Sequence, residues 1–218
     1  MGTIILFLLS QSVLLPLIAG LVRVRRIDKS YQPFFIFLVI GFLTEIISFI
    51  LIQGFYKSNI IVANIYDLVE WTLIAWQFHV WGFLKQKKQV FYGLLVLSIL
   101  VWVTENLLFR KITDFSPYFR ILYCFFIVLL SVNKINFMIT HDNQNLFRNP
   151  RFVICLGFII YFLYMIIYYW ALQISKLGDK LDISISIMFL VAYVNTLTNV
   201  IYAIAILLIP APQKFTLN

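Results

Sequence analysis

Charge is what this 218-residue sequence has least of. Asp, Glu, Lys and Arg make up 12% of it and hydrophobic residues 62%, whereas a soluble domain carries about 25% charged and about 45–50% apolar residues. At a mean hydropathy of +0.95, the chain has too little polar surface to cover a water-soluble globule. A disordered chain needs low hydrophobicity and is excluded on the same ground. Cysteine is scarce as well. Cys124 and Cys155 are the only two, too few for a disulfide scaffold, and each lies in a long apolar stretch where a thiol behaves as a small hydrophobe. Histidine is limited to His79 and His141, while a hydrolytic zinc site wants about three protein ligands. A metal hydrolase and bis-histidine haem ligation are therefore not expected. The sequence also lacks a Gly-x-x-x-Gly pair, a Gly-rich phosphate loop and a serine nucleophile elbow, so nothing points to a tight helix dimer of that type, to nucleotide chemistry or to acyl transfer. No metal, cofactor or catalytic residue is expected.

What is present is a succession of apolar runs. Seven, at about 4–22, 34–53, 60–84, 90–109, 119–140, 152–173 and 183–209, are each about the 20 residues needed to cross a hydrocarbon core about 30 Å thick. The breaks carry loop chemistry, such as Lys85-Gln86-Lys87-Lys88 and Asn149-Pro150, and Pro210 and Pro212 stop the last run. The expected fold is all-α: one polytopic domain over 1–218 with seven transmembrane helices, in lipid rather than water. Basic residues set its orientation. Loops one, three and five and the C-terminal tail hold Arg23, Arg25, Arg26, Lys29, Lys85, Lys87, Lys88, Arg148, Arg151 and Lys214; the other loops hold Lys57, Arg110, Lys111, Lys176 and Lys180. Ten against five favours an outer N-terminus and a cytoplasmic C-terminus by the positive-inside rule. The same distribution accounts for the net charge of +8 as topology, and nucleic acid is not an expected partner.

Four acids fall inside these runs: Glu45, Asp67, Glu70 and Glu105. A charged side chain at the bilayer centre costs roughly 2.5–3.5 kcal/mol on insertion scales, so four unpaired charges would cost on the order of 10 kcal/mol. They must be protonated, paired, bound to cations or wetted by a cavity. Asn64, Asp67 and Glu70 step around the third run about 60° at a time, with Tyr66 and Gln77 beside the same arc. Gly41, Thr44, Glu45 and Ser48 share a side of the second run, and Ser184, Asn195, Thr198, Asn199 and Tyr202 a side of the seventh. Three polar stripes that lipid cannot satisfy predict a shared polar interior. With the N-terminus outside, Glu105 lies about 6 Å below the outer surface, Asp67 about 10 Å, and Glu70 and Glu45 about 15 Å. Glu45, Asn64, Asp67, Glu70, Glu105, Asn195, Asn199 and Tyr202 are thus the candidate ion- or ligand-binding residues. Lys134 is a candidate counter-ion, although a snorkelling base is the simpler reading of it.

Span three, Tyr66-Asp67-Leu68-Val69-Glu70-Trp71-Thr72, is similar to the counter-ion helix of microbial rhodopsins. The seventh run has no lysine between Ser184 and Ile209, so a retinal Schiff base cannot form there. The Ile-, Phe- and Asn-rich spans with Asn64-x-x-Asp67-x-x-Glu70 resemble small multi-pass membrane proteins of Bacteroidetes-type bacteria, a resemblance that implies a bacterial inner-membrane location and no particular activity. The expected function is transport or conduction of a proton, a cation or a small cationic ligand through an acidic cavity. The alternatives are a membrane-embedded sensor that reports to a separate signalling protein, and an intramembrane lipid-processing enzyme with Asp67 and Glu70 as an acid–base pair. The lipid bilayer is the expected partner, and a homo-oligomer is compatible with any of these.

Overall fold

The computed structural model describes residues 9, 11–24, 27–82, 88–141, 145–175 and 181–210, with the side chains of 88, 174–175 and 181–189 outside that description. Residues 4–8 of the first apolar run, the side chain of Ser184, and Arg25, Arg26, Lys85, Lys87, Lys176, Lys180 and Lys214 lie outside it too. A helix occupies each apolar run: α1 (Leu14–Val22), α2 (Gln32–Phe49), α3 (Ile60–Val80), α4 (Lys88–Val103), α5 (Pro117–His141), α6 (Pro150–Ser175) and α7 (Leu181–Leu208). A 3-10 turn, Gln11–Val13, leads into α1, and wide π-helical turns, Ile50–Gly54 and Thr104–Phe109, extend α2 and α4. Among the described residues there is no strand.

Five helical stretches are long and apolar enough to cross a membrane: Lys29–Gly54, Gln89–Phe109, Pro117–His141, Pro150–Gln173 and Leu190–Leu208. The chain is therefore an all-α, multi-pass membrane protein. The helix α1, with its leading turn, forms a shorter apolar helix, Gln11–Val22. The 21-residue α3 has the length, about 31 Å at about 1.5 Å per residue, but carries Asp67 and Glu70.

Direction alternates through the bundle. Along α1 and α7, Leu9 accepts from Thr196, Ser12 accepts from Asn199, and Arg23 reaches the carbonyls of Ile206, Leu207 and Ile209, so the two run parallel. On α2, Phe34 meets Gln77 and Gly41 lies beside Tyr66, which sets α2 antiparallel to α3. Trp102 at Asn64 and Phe91 at His79 set α4 antiparallel to α3 as well. Asn64 with Arg120, and Glu70 with Tyr123, make α3 and α5 parallel, while Phe115 with Tyr169 and Tyr123 with Phe162 make α5 and α6 antiparallel. Six helices close a ring in the order α1, α2, α3, α5, α6, α7, and α4 packs outside it against α3 and α5.

Polar side chains secure the helix ends in this ring. The amide of Gln77, fully buried in α3, accepts from the Phe34 backbone N–H (2.8 Å) and donates to the Ser30 carbonyl (2.6 Å). It thereby supplies a partner for one of the donors that the first turn of α2 leaves open. Arg23 does the converse at the C-terminus of α7, where a cation meets the exposed carbonyls and the negative end of the helix dipole. Gly82, at φ 80°, ends α3 in the left-handed conformation that favours glycine. Gln77→Leu is expected to destabilise the bundle by about 2–4 kcal/mol, the buried Phe34 N–H and the partly buried Ser30 carbonyl losing their partner at about 1–3 kcal/mol each. Equilibrium unfolding in detergent measures this, and a cost below about 1 kcal/mol would show that water replaces the amide.

The end of the bundle where α2 begins and α3 stops is packed with aromatic side chains. Phe34, Phe37, Phe158 and Tyr202 meet mostly edge to face, with centroids 5.2–6.4 Å apart, the arrangement the ring quadrupole prefers. At Gly157 a Cβ would lie 2.5 Å from the Tyr202 ring, so the glycine lets α6 approach α7 and seats that tyrosine.

Candidate functional site

The site starts from the polar face of α3. Asn64, Asp67 and Glu70 are 1%, 6% and 4% exposed, so each needs a partner inside the protein; Asp67 and Glu70 face the interior of the ring. Asp67 finds one on α5: Arg120 Nε lies 2.7 Å from its Oδ2, with both side chains 9% exposed. The Nε–H does not point along this contact, so charge rather than an aligned hydrogen bond holds the pair. Arg120 Nη2 also donates to Asn64 Oδ1 (3.1 Å), and the guanidinium carbon stands 4.6 Å from the Phe115 ring centroid and 5.5 Å from that of Tyr169.

Asn64 is a joint. Its side-chain amide donates to the backbone carbonyls of Ile112 and Asp114, 2.8 Å each, and its backbone carbonyl accepts from Trp102 Nε1 at 2.9 Å. With both side-chain donors used, it ties α3 to α4, to the loop before α5 and to Arg120, and so orients the guanidinium.

Among the described residues Glu70 has no ion-pair partner of its own. Its Oε1 accepts from the Tyr66 hydroxyl (3.1 Å) and its Oε2 from the Tyr123 hydroxyl (2.8 Å), which also lies 3.3 Å from Asp67 Oδ1. A phenol has one proton to donate. Tyr123 thus bridges two carboxyl groups and satisfies one of them, and a further proton or cation is needed to make the whole cluster favourable.

These groups face a cavity of about 250 Å³ lined by α2, α3, α5, α6, α7 and Val13. Each helix of the ring except α1 itself places polar groups on its wall: Thr44, Glu45 and Ser48 from α2, Asp67 and Glu70 from α3, Arg120 and Tyr123 from α5, Tyr161 and Tyr169 from α6, and Asn195, Thr198, Asn199 and Tyr202 from α7. Its wall is most exposed at Glu45 and partly exposed at Ser48, Asn59 and Asn195. It is buried at Phe37, Leu38, Asp67, Glu70 and Tyr202. The cavity therefore widens toward the end where α2 stops and α3 begins, and narrows toward the aromatic cluster of Phe34, Phe37, Phe158 and Tyr202. Thr198 and Tyr202 are 1% and 3% exposed, and neither hydroxyl has a hydrogen-bond partner among the described residues.

Six of the eight residues singled out from the sequence meet at this cavity: Glu45, Asp67, Glu70, Asn195, Asn199 and Tyr202. Asn64 stands behind the wall, as described. Glu105 is elsewhere, and the expectation that it lines the vestibule is corrected. The π-helical turn at the end of α4 buries Glu105 and Asn106 together, and the Glu105 carboxylate accepts from the backbone N–H groups of Tyr118 (3.1 Å) and Phe119 (2.7 Å). It caps α5, where a negative group meets free donors and the positive end of the dipole. The base beside Asp67 is likewise Arg120 and not Lys134. Lys134 is 14 positions further along α5, about 21 Å at about 1.5 Å per residue, with its ammonium 5.3 Å from the Phe137 ring centroid.

Arg120 belongs to the candidate site although the sequence pattern does not single it out. It stands at the edge of the fifth apolar run, where a base reads as a loop charge, yet three deep acids in neighbouring runs called for a counter-ion. Tyr123 and Tyr161 carry no such signal, since tyrosines in an apolar run read as packing. Among the described residues no group of three His, Cys, Asp or Glu side chains is placed to hold a metal. No protein-family model matches the chain, and no curated protein or solved structure matches it. The site is therefore interpreted on its own chemistry.

Proposed function

We propose that this is a seven-span protein of the bacterial inner membrane, its N-terminus outside and its C-terminus cytoplasmic, that binds a proton or a small cation at Glu70 and carries it across. The observation that carries the reading is the Asp67–Tyr123–Glu70 bridge, in which Arg120 neutralises one carboxylate and leaves the other for an exchangeable cation. Ionisable groups within a membrane bundle mark ion and proton pathways. The alternating directions of the helices and the distribution of basic residues support seven passes and this orientation, which puts the wide end of the cavity outside. The aromatic cluster below Tyr202 separates the cavity from the other face, so transfer requires that cluster to rearrange, as in alternating access.

The same closed floor favours a second reading, a receptor whose cavity takes up its ligand from one side and signals to a partner protein. A lipid-processing enzyme fits less well, because Asp67 is tied to Arg120 and is not free to exchange a proton with Glu70's substrate.

Proteoliposomes under an imposed proton gradient test the proposal: the expected result is proton uptake above that of protein-free vesicles. No proton or monovalent-cation flux in either direction would contradict transport and leave the receptor. A labelling experiment tests the orientation. Cys124 and Cys155 are fully buried, so only Ser48→Cys is expected to react with a membrane-impermeant maleimide, and only from outside. Labelling from the cytoplasmic face alone would reverse the topology.

A further inference from the structure

We infer that the guest of this cavity is a small primary ammonium compound with a second hydrogen-bonding group, such as a hydroxyl. The inference rests on the reading of Glu70 above and adds the class of ligand. Volume is the first argument. The cavity of about 250 Å³ equals roughly eight water volumes at about 30 Å³ each, far more than a proton or a bare monovalent ion fills.

The second argument is the pair of unused hydroxyls. Buried polar groups in native proteins nearly always have partners, yet Thr198 Oγ1 and the Tyr202 hydroxyl have none among the described residues, although both residues line the cavity and are more than nine-tenths buried. Four residues apart on α7, they lie on one face. Glu70, on α3, lines the same cavity. Charge gives the third argument. Glu45, Asp67 and Glu70 line the cavity with Arg120 as the one base among the lining residues, so a cationic guest balances the wall and an anionic one does not. Tyrosine rings from α5, α6 and α7 surround the same space and favour a cation further. The ammonium therefore sits at Glu70, and the second polar group between Thr198 and Tyr202.

A free amine and the headgroup of phosphatidylethanolamine share this chemistry. The test is calorimetric titration of the full chain, in phosphatidylcholine nanodiscs at constant ionic strength, with ethanolammonium chloride. The expected result is saturable binding that Thr198→Val and Tyr202→Phe each weaken by about fivefold to tenfold, the equivalent of one hydrogen bond. Thr198→Ser keeps the affinity, which separates a lost hydroxyl from a damaged fold. Tetramethylammonium, which has no N–H to donate, is expected to bind at least about tenfold more weakly. Lower ethanolammonium affinity in discs containing phosphatidylethanolamine supports the proposal with the headgroup as the source; unchanged affinity supports it with the free amine. Wild-type protein that moves protons but binds no ethanolammonium overturns the inference and leaves the proposed function standing, and absence of both overturns both. Equal affinity for tetramethylammonium, or full affinity in both hydroxyl variants, also overturns it and assigns the two hydroxyls to water.

Discussion

Replacing Arg120 with leucine is expected to cost about 3–5 kcal/mol of stability, the largest effect of any single substitution at the site. The figure follows from burial: removing one member of a buried ion pair strands the other charge in a medium that cannot solvate it. The side chains of Asp67 and Arg120 are each 9% exposed and 2.7 Å apart, so the carboxylate left behind has only the Tyr123 hydroxyl among the described residues, 3.3 Å away and already engaged by Glu70. The loss of the Arg120 contact with Asn64 also frees the joint between α3, α4 and the loop before α5. The double variant Arg120→Leu, Asp67→Leu is expected to recover much of that stability, because an apolar pair of similar volume avoids the desolvation that the charges require. Equilibrium unfolding in detergent measures both. A cost below about 1 kcal/mol for Arg120→Leu, the level of an exposed pair, would show that water reaches the pair.

Glu70→Gln is expected to do the opposite, abolishing transport and sparing the fold. The glutamine side chain has the same shape, and its carbonyl accepts the hydrogen bond from Tyr123 or from Tyr66. What it cannot do is carry an exchangeable proton or present a negative charge to a cation. Stability is expected to change by no more than about 1–2 kcal/mol, the scale of one altered hydrogen bond, while flux falls to that of protein-free vesicles. The two neighbouring acids of α3 are thereby separated: Asp67 matters mainly to stability, and Glu70 to transport.

The position of each helix was legible from hydropathy because an apolar run of about 20 residues has one comfortable conformation in lipid. Even α3 could be placed despite Asp67 and Glu70, since its polar residues recur at helical spacing. The cavity followed from the same logic: stripes on the second, third and seventh runs had to face one another or face lipid. Partner choice was harder to foresee. Gln77 continues the stripe of α3, yet its amide serves the first turn of α2, and only the antiparallel register of the two helices brings it there. Glu105 stands near the end of the fourth apolar run, and whether an acid there faces a cavity or a helix N-terminus depends on which neighbour lies beside it. Arg120 escaped notice because it stands one turn inside α5, where hydropathy treats a base as the end of a span. The phenol bridge of Tyr123 depends on ångström-scale distances between α3 and α5 that no periodicity encodes.

Proton flux through wild-type protein and Glu70→Gln, reconstituted side by side and matched for amount and thermal stability, tests the central claim most directly. The account predicts gradient-driven uptake by the wild type and none above protein-free vesicles in the variant. Undiminished flux in Glu70→Gln would contradict it and remove Glu70 from the path.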